Sequence, residues 1–476
     1  MNKKEVQARQ KELEKKTRLV HDQLTPSDKK KQTILCDHYK RFLDNGKTER
    51  KAVATIIKEA KDNGFKNIDE NLNADNPPQL LYRNFKNKAV AMAVIGNNPM
   101  EDGIRIIASH IDSPRLDLKQ NPLYEDQGLG LLKTHYYGGI RKYQWLSTPL
   151  ALHGIIFKED GKRVDITIGE SLTDPVFTIP DLLPHLAKQQ ATKKLSDAFE
   201  GEKLNLIAGS LPLGDESIKN RFKLGVLNIL HDEYGLKEED FISAEIEAVP
   251  AGQARDIGFD RSMVGAYGQD DRICAYTSLT ALVETSNPRQ TCVNFFFDKE
   301  EIGSDGDSGA KSRFMEDFIG DLLFINKESH DQRTLRKTML RSACLSADVN
   351  AAIDPNYKDV HDDLNGARIG HGVCLTKFTG SGGKSGSSDA SAEFMSKIRR
   401  LFNSRQVTWQ TGELGKIDQG GGGTVAKYLA KYGMDVLDCG PAILSMHAPF
   451  EVASKADIYM TYKAYKAFFH GTDEEI

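Results

Sequence analysis

The chain has few cysteines and no long apolar runs, and each absence excludes a class of protein. Its six cysteines are scattered and include no C-x-x-C pair, which argues against a structural zinc knuckle and a dense disulfide framework. No stretch approaches the roughly 18 consecutive apolar residues that a membrane span requires. The first residues, MNKKEVQARQKELEKK, lack the apolar segment of a secretory signal. We therefore expect a cytoplasmic protein with no membrane partner.

A strong charge of one sign is also missing. The 64 basic and 68 acidic side chains leave a formal net charge of −4, which gives no reason to expect a nucleic-acid partner. The 476 residues are 39% hydrophobic and 28% charged, a composition typical of a folded globular protein. At roughly 150 residues per domain, this length predicts two or three folding units.

The spacing of apolar residues predicts an α/β fold with an insertion. Residues 1–64 have the pattern of helices, with Ser27 and Thr48 as possible N-caps. Residues 119–249 are rich in short β-type runs, with one polar helical piece near PHLAKQQATKKLSDAFEG. From about residue 250, helices alternate with strands such as TCVNFFFD. This alternation predicts a mixed, mostly parallel sheet with helices on both faces.

Acidic residues and histidines stand where several predicted strands or helices end or begin. IRIIASHID, GQDDR, FFFDKEEIGS, CLSADVN and AILSMHAPFE are the segments concerned. Ligand sites in open α/β sheets form beyond the carboxyl ends of the strands. The resulting candidate site residues are His110, Asp112, Asp270, Glu300, Glu301, Asp348 and His447.

Each of these residues has an ordinary explanation when it is considered alone. Asp270 can stabilise a helix N-terminus, Asp348 can cap a strand end, and Glu300 with Glu301 can form a surface turn. Together they all adjoin apolar runs, where an unpaired charge is costly, and such a set suits a pair of divalent cations. Adjacent side chains on a strand point to opposite faces, so we expect Glu300 and Glu301 to have different roles.

Six motifs give the chain a resemblance to a known family. SHIDSPR, YYGGI, GQDDR, DKEEIGS, SADVN with DPNY, and SMHAPFEVASKAD occur in this order. In order and spacing they resemble the aspartyl aminopeptidase family of dinuclear zinc exopeptidases, and GVCLTKFTGSGGKSGSSDASAEF is most similar to its bacterial branch. The resemblance runs from about residue 25 to the C-terminus. It implies a metal-dependent aminopeptidase that removes N-terminal residues from peptides.

The resemblance implies two metal ions in each subunit. His110 and Asp348 would hold one ion, and Glu301 and His447 would hold the other. Asp270 would bridge the two ions. Zinc suits this mixture of imidazole and carboxylate ligands, although cobalt or manganese also suits it.

Two further residues receive roles from the same resemblance. Asp112 would accept a hydrogen bond from the second ring nitrogen of His110 and so fix its tautomer. Glu300 would bind no metal and would act as the general base, taking a proton from the attacking water.

The resemblance also implies a preference for N-terminal Asp or Glu. Such a preference requires cationic groups in the substrate pocket, and Lys377 and Lys384 are the residues available for it. The chain departs here from the eukaryotic members of the family, because it lacks their tyrosine in GGKSGSS and has Ala351 where they have a histidine. A specificity broader than acidic residues therefore stays open.

Domains and assembly are expected from the resemblance alone. The catalytic domain would consist of residues 1–118 and 250–476, and residues 119–249 would form an inserted β-rich dimerisation domain. Similar family members assemble from dimers into dodecamers, so we expect a homo-oligomer.

Two rival functions remain open on the residues themselves. A dinuclear phosphoesterase would use similar His, Asp and Glu ligands, although GSGGKSGSS lacks the first glycine of a phosphate-binding P-loop, because Phe378 occupies that position. An inactive oligomeric scaffold would keep the fold without the chemistry. All the candidate ligands and the candidate base are present, which favours the enzyme.

Overall fold

Helices and strands alternate along most of the chain. The computed structural model describes residues 1–15, 17–472 and 475–476. No helix in these ranges is long and apolar enough to cross a membrane. The α-helices are α1 (Lys3–Leu13), α2 (Pro26–Asn45), α3 (Glu49–Asp62), α4 (Leu195–Ala198), α5 (Arg221–Tyr234), α6 (Gln269–Val283), α7 (Phe314–Ile325), α8 (Gln332–Arg341), α9 (Ala392–Ser404), α10 (Ala426–Leu429) and α11 (Lys455–Phe469).

The strands of the described residues form three sheets. They are β1 (Lys66–Asn67), β2 (Leu80–Phe85), β3 (Ala89–Val94), β4 (Arg105–His110), β5 (Arg115–Asp126), β6 (Leu129–Tyr137), β7 (Leu150–Phe157), β8 (Arg163–Ile168), β9 (Leu206–Gly209), β10 (Ala244–Pro250), β11 (Arg255–Ile257), β12 (Met263–Ala266), β13 (Cys292–Phe297), β14 (Ala343–Ser346), β15 (Asn350–Ala351), β16 (Val373–Thr376), β17 (Trp409–Thr411), β18 (Asp435–Gly440), β19 (Ala442–Leu444) and β20 (Glu451–Ser454).

The largest sheet is mixed and mostly parallel, as the sequence predicts. Its nine strands lie in the order β1-β2-β3-β13-β4-β14-β18-β16-β17. The four central strands β13, β4, β14 and β18 are mutually parallel. Antiparallel pairs occur only at β2–β3, β3–β13 and β16–β18 among these strands. A β11-β12-β20-β19-β15 sheet accompanies it.

Helices cover both faces of the large sheet because its strands are apolar on both sides. On β3, Val90 and Met92 join the core that contains residues of α2, α3, α6, α9 and α11. The alternate residues Ala91 and Ala93 join the core that contains residues of α7, α8 and α10. This two-residue periodicity explains why the buried strands read as continuous hydrophobic runs in the sequence.

The second sheet is antiparallel and has its own apolar core. Its six strands lie in the order β8-β7-β10-β5-β6-β9, and its core includes Trp145 and Phe241. These strands fall between Arg115 and Pro250. The division of the chain into domains at residues 118 and 249 stays a prediction.

One local prediction between residues 119 and 249 is wrong, and one helix there was not predicted. The piece near PHLAKQQATKKLSDAFEG forms short 3-10 turns and the single turn α4 rather than one helix. The long helix of this region is α5, which was not predicted. Its apolar side chains Phe222, Val226 and Leu230 recur every four residues, which is the spacing of a helix face.

The N-cap of α2 is Thr25 and not Ser27. The Thr25 hydroxyl accepts the backbone N–H of Asp28, and the Asp28 carboxylate accepts the N–H of Thr25. Pro26 follows at the first helical position, where its missing N–H costs nothing. The prediction that Thr48 caps α3 is confirmed, because its hydroxyl accepts the N–H of Lys51.

Replacing Thr25 with alanine tests this cap. Thr25→Ala removes the acceptor for the Asp28 N–H, so we expect the free energy of unfolding to fall by about 1 kcal/mol. Ser27→Ala is the matched control, because Ser27 is exposed. Urea titrations of both variants measure the difference, and an equal or larger loss for Ser27→Ala would contradict the assignment.

Candidate metal centre

The site lies where three parallel strands of the large sheet end. β4 ends at His110, and its two parallel neighbours β13 and β14 end at Phe297 and Ser346. The loops that follow these strands therefore converge at one edge. Asp270 enters from the first turn of α6, and His447 enters from the loop between β19 and β20.

Asp270 is the centre of the cluster because its carboxylate faces two histidines at once. Its Oδ1 lies 3.2 Å from His110 Nε2, and its Oδ2 lies 3.2 Å from His447 Nε2. The carboxylate is almost fully buried. The Asp270 side chain thus directs one oxygen to His110 and the other to His447.

Each histidine has a further carboxylate beside it. Asp348 Oδ1 lies 3.8 Å from His110 Nε2, and Glu301 Oε2 lies 3.3 Å from His447 Nε2. The structure thus brings together all five side chains that the sequence predicts as metal ligands. They fall into two groups that share Asp270.

The spacing of these atoms suits bound cations. Ligands at about 2.0–2.1 Å from a tetrahedral Zn²⁺ lie about 3.3 Å apart, and three of the four nitrogen-to-oxygen distances are 3.2, 3.2 and 3.3 Å. Glu301 Oε1 is buried and accepts no hydrogen bond from any residue that the structure describes. Such an atom is costly unless a cation or a donor meets it. The donor set therefore fits a metal pair.

The electrostatics of the cluster favour added positive charge. Burial raises the pKa of Glu301 well above its usual range, and the neighbouring Asp270 raises it further against the effect of His447. Burial also raises the pKa of Asp348, despite its contact with His110. Asp270 differs: burial acts to raise its pKa, but its close contacts with His110 and His447 lower the pKa below its usual range. Against burial, the carboxylates Glu301 and Asp270 raise the pKa of His447 to about 11.

The glutamate pair lies in a tight turn and not on an extended strand. Lys299 has a left-handed φ of 66°, and Glu300–Ile302 forms a 3-10 helix directly after it. The expectation that the two side chains alternate across a strand is therefore wrong, because the left-handed residue turns the chain before the glutamates begin.

The two carboxylates nevertheless have different surroundings. Glu301 contacts His447, whereas Glu300 makes no ion pair with any of the described residues. Burial raises the pKa of Glu300 to about 8; His110 opposes this increase, and Asp348 adds to it.

Asp112 holds several parts of the site in place. It is completely buried, and its Oδ1 lies 3.3 Å from His110 Nδ1. Its two oxygens accept the backbone N–H groups of Glu300 and Glu301 at 3.1 and 3.2 Å, and Oδ2 also accepts the Tyr137 hydroxyl at 2.8 Å.

A second buried carboxylate, Glu451, has a comparable position and was not predicted as a site residue. Its two oxygens accept the backbone N–H groups of His447 at 2.8 Å and of Asp270 at 3.1 Å. Burial is the main cause that raises its pKa to about 8. Its position in SMHAPFE, four residues after His447 and at the start of β20, was the available signal.

Asp271 is a further acidic residue of the cluster that was not predicted as a site residue. It is fully buried, and its Oδ2 accepts the backbone N–H of His110 at 3.4 Å. Ligand atoms of His110, Asp271 and Asp348 lie within 4.8 Å of one another, as do those of His110, Asp270 and Glu301.

The two lysines predicted for substrate binding lie together but apart from the cluster. Lys377 and Lys384 both form ion pairs with Asp389, at 2.7 and 3.0 Å. The Lys384 ammonium also lies 3.8 Å from the centre of the Phe378 ring. Among the described residues, no ion pair or hydrogen bond joins either lysine to the metal-centre side chains.

Sequence comparison connects the chain with a described family. The family described as "Aminopeptidase I zinc metalloprotease (M18)" matches residues 42–469. A probable M18 family aminopeptidase 1 of Clostridium acetobutylicum is 51% identical over 439 residues, covering 92% of this chain and 94% of the relative.

Solved structures agree with this relationship. The M18 aminopeptidase of Thermotoga maritima has a TM-score of 0.92 and 45% identity, covering 96% of this chain and all of that chain. A more distant match is the mApe1 dodecamer of S. cerevisiae, with a TM-score of 0.73 and 20% identity over 92% of this chain and 97% of that chain. These findings confirm the resemblance that the six motifs indicated. The chain belongs to the M18 family of zinc metalloproteases and is an aminopeptidase.

Proposed function

We propose that the five clustered side chains bind two zinc ions that serve hydrolysis at the N-terminus of a peptide. His110 and Asp348 would hold one ion, Glu301 and His447 the other, with Asp270 shared between them. The observation that carries this proposal is the Asp270 carboxylate, with one oxygen 3.2 Å from each histidine. When bound, two such ions lower the pKa of a water molecule and polarise the scissile carbonyl.

Glu300 is proposed as the general base. It lies beside the five ligands without an ion pair of its own, and Asp112 fixes its backbone through the 3.1 Å hydrogen bond. From there its carboxylate takes a proton from the attacking water and delivers it to the leaving amine. Asp112 meanwhile keeps His110 oriented, with its main-chain carbonyl oxygen 3.1 Å and its Oδ1 3.3 Å from Nδ1, so that Nε2 faces Asp270 and Asp348.

Two substitutions separate the base from the ligands. Glu300→Gln keeps the shape of the side chain but removes its basicity, so we expect kcat to fall about 100-fold or more while bound zinc is retained. Asp270→Ala removes the shared ligand, so both zinc content and activity should be lost. Zinc content is measured by atomic absorption and activity by release of N-terminal residues from short peptides.

The unmodified enzyme provides the control for these assays. A chelator should abolish release of N-terminal residues, and added zinc should restore it. Equal loss of zinc in Glu300→Gln and Asp270→Ala would contradict the division of roles.

A preference for acidic N-terminal residues is proposed from the charges at Lys377 and Lys384. These two ammonium groups share the single carboxylate of Asp389, which leaves a net charge of one positive unit. Each lysine side chain is 44% exposed, so both are accessible to a substrate carboxylate. One uncompensated charge favours Asp and Glu and still permits neutral residues.

Changing these charges should change the specificity. Asp389→Asn removes the competing carboxylate, so we expect kcat/KM for an N-terminal Asp substrate to rise relative to an N-terminal Leu substrate. Lys377→Met should lower the same ratio about 10-fold. Steady-state kinetics with matched aminoacyl substrates measure the ratio, and a ratio unchanged in both variants would exclude these lysines from the pocket.

A dodecameric assembly is proposed from the structural relationship to the yeast mApe1 dodecamer. Twelve chains of 53.0 kDa have a mass of 12 × 53.0 = 636 kDa. We expect sedimentation equilibrium to give this mass for the zinc-loaded protein. A monomer or dimer mass at micromolar concentration would contradict the proposal.

A further inference from the structure

A short segment of the antiparallel sheet reaches into the metal centre. Tyr137 is the last residue of β6, and Gly138 and Gly139 follow it. Gly138 has a left-handed φ of 74°, and a Cβ there would lie 3.3 Å from the Cβ of Glu301. A Cβ on Gly139 would lie 3.4 Å from Nδ1 of His447. Glycine at both positions therefore permits the close approach of this backbone to two proposed ligands.

The segment contacts His447 directly. The carbonyl oxygen of Gly139 lies 2.8 Å from Nδ1 of His447. Because a carbonyl can only accept, Nδ1 carries the proton and donates it. The other ring nitrogen, Nε2, faces Asp270 and Glu301.

The same segment contacts His110 through Asp112. The Tyr137 hydroxyl donates a 2.8 Å hydrogen bond to Asp112 Oδ2. Asp112 Oδ1 then faces Nδ1 of His110 at 3.3 Å. His110 Nδ1 also lies 3.1 Å from the main-chain carbonyl oxygen of Asp112. The tyrosine thus restrains Asp112, whose carboxylate and main chain both face this nitrogen, from a strand outside the sheet that carries His110.

The Tyr137 ring packs against the side chain of Arg115. The guanidinium of Arg115 lies 3.8 Å from the ring centre, a distance typical of a cation–π contact. Arg115 is buried, and three carboxylates surround its guanidinium: Asp117 at 2.8 Å, Glu247 at 3.4 Å and Glu49 at 3.6 Å. Since α3 supplies Glu49 and β10 supplies Glu247, the ring position depends on both parts of the fold.

We propose that the segment Tyr137–Gly139 sets the orientation of both metal-binding histidines, with Tyr137 as a positioning residue for the His110 side. This inference rests on the ligand roles proposed above. It adds that the antiparallel sheet supplies part of the catalytic centre of its own chain. Hydrogen bonds to the second nitrogen of a metal-binding histidine typically change metal affinity or activity 10- to 100-fold when their partners are altered.

Tyr137→Phe tests the proposal with the smallest possible change. It removes the hydroxyl and keeps the ring on Arg115. We expect one of the two zinc equivalents to bind about 10- to 100-fold more weakly in competition with a chromophoric chelator. We also expect kcat to fall with little change in KM, because the hydroxyl contacts Asp112 and no part of a substrate.

Tyr136→Phe is the matched control, since it makes the same chemical change at the preceding residue, whose side chain is 42% exposed. Its zinc affinity and kcat should equal those of the unmodified enzyme. Melting of the metal-free proteins by circular dichroism establishes that both variants are folded at the titration temperature. Unchanged zinc affinity in folded Tyr137→Phe would overturn the proposal, as would an equal loss in Tyr136→Phe.

A further variant separates this proposal from the one on which it rests. His110→Ala should lose one zinc equivalent altogether. If it retains both, the proposed ligand assignment is wrong. If it loses one while Tyr137→Phe binds zinc normally, the ligand assignment holds and only the positioning role fails.

Discussion

Acidic side chains are concentrated at the carboxyl ends of the central strands, and backbone N–H groups and two histidines of the neighbouring loops lie beside their carboxylates. Two imidazoles cannot compensate all the carboxylates that surround them. Burial makes each uncompensated carboxylate expensive. The acidic side chains gathered here are Asp112, Asp270, Asp271, Glu300, Glu301, Asp348 and Glu451.

The hydrogen-bond partners of these carboxylates divide them into two kinds. Asp112 and Glu451 each accept two backbone N–H groups, so they fasten the loops that carry the ligands. Asp270 and Glu301 instead face histidine nitrogens, and Glu301 keeps a buried oxygen without a donor among the described residues. Carboxylates of the first kind are satisfied by the protein alone, whereas those of the second kind suit the cations proposed above.

Much of this arrangement could be predicted from the sequence, because the site residues directly follow predicted strands. A parallel sheet collects the residues that follow its strands, so His110 and Asp348 were expected to meet, and the apolar runs beside them identified the strands. Family motifs supplied the pairing of ligands, which spacing alone did not. Membership in an aminopeptidase family also decides against the phosphoesterase and the inactive scaffold.

The features that were missed depend on tertiary packing or on one backbone angle. Tyr137 meets Asp112 only because two different sheets are adjacent, and no local pattern encodes that contact. Glu300 follows a single left-handed lysine, which sequence periodicity does not reveal. Two other features were indicated locally in the sequence but were not predicted. Pro26 at the first helical position indicates the cap at Thr25. A four-residue apolar spacing indicates the helix α5.

The carbonyl of Gly139 has a consequence for protein engineering. A natural attempt to simplify this chain would excise the six-stranded antiparallel sheet and reconnect β4 to β11 as a minimal peptidase. That deletion would also remove the hydrogen-bond acceptor of His447 and the hydroxyl that contacts Asp112. The two sheets are therefore not interchangeable modules, and a transplanted sheet would have to carry the tyrosine and both glycines in the same register.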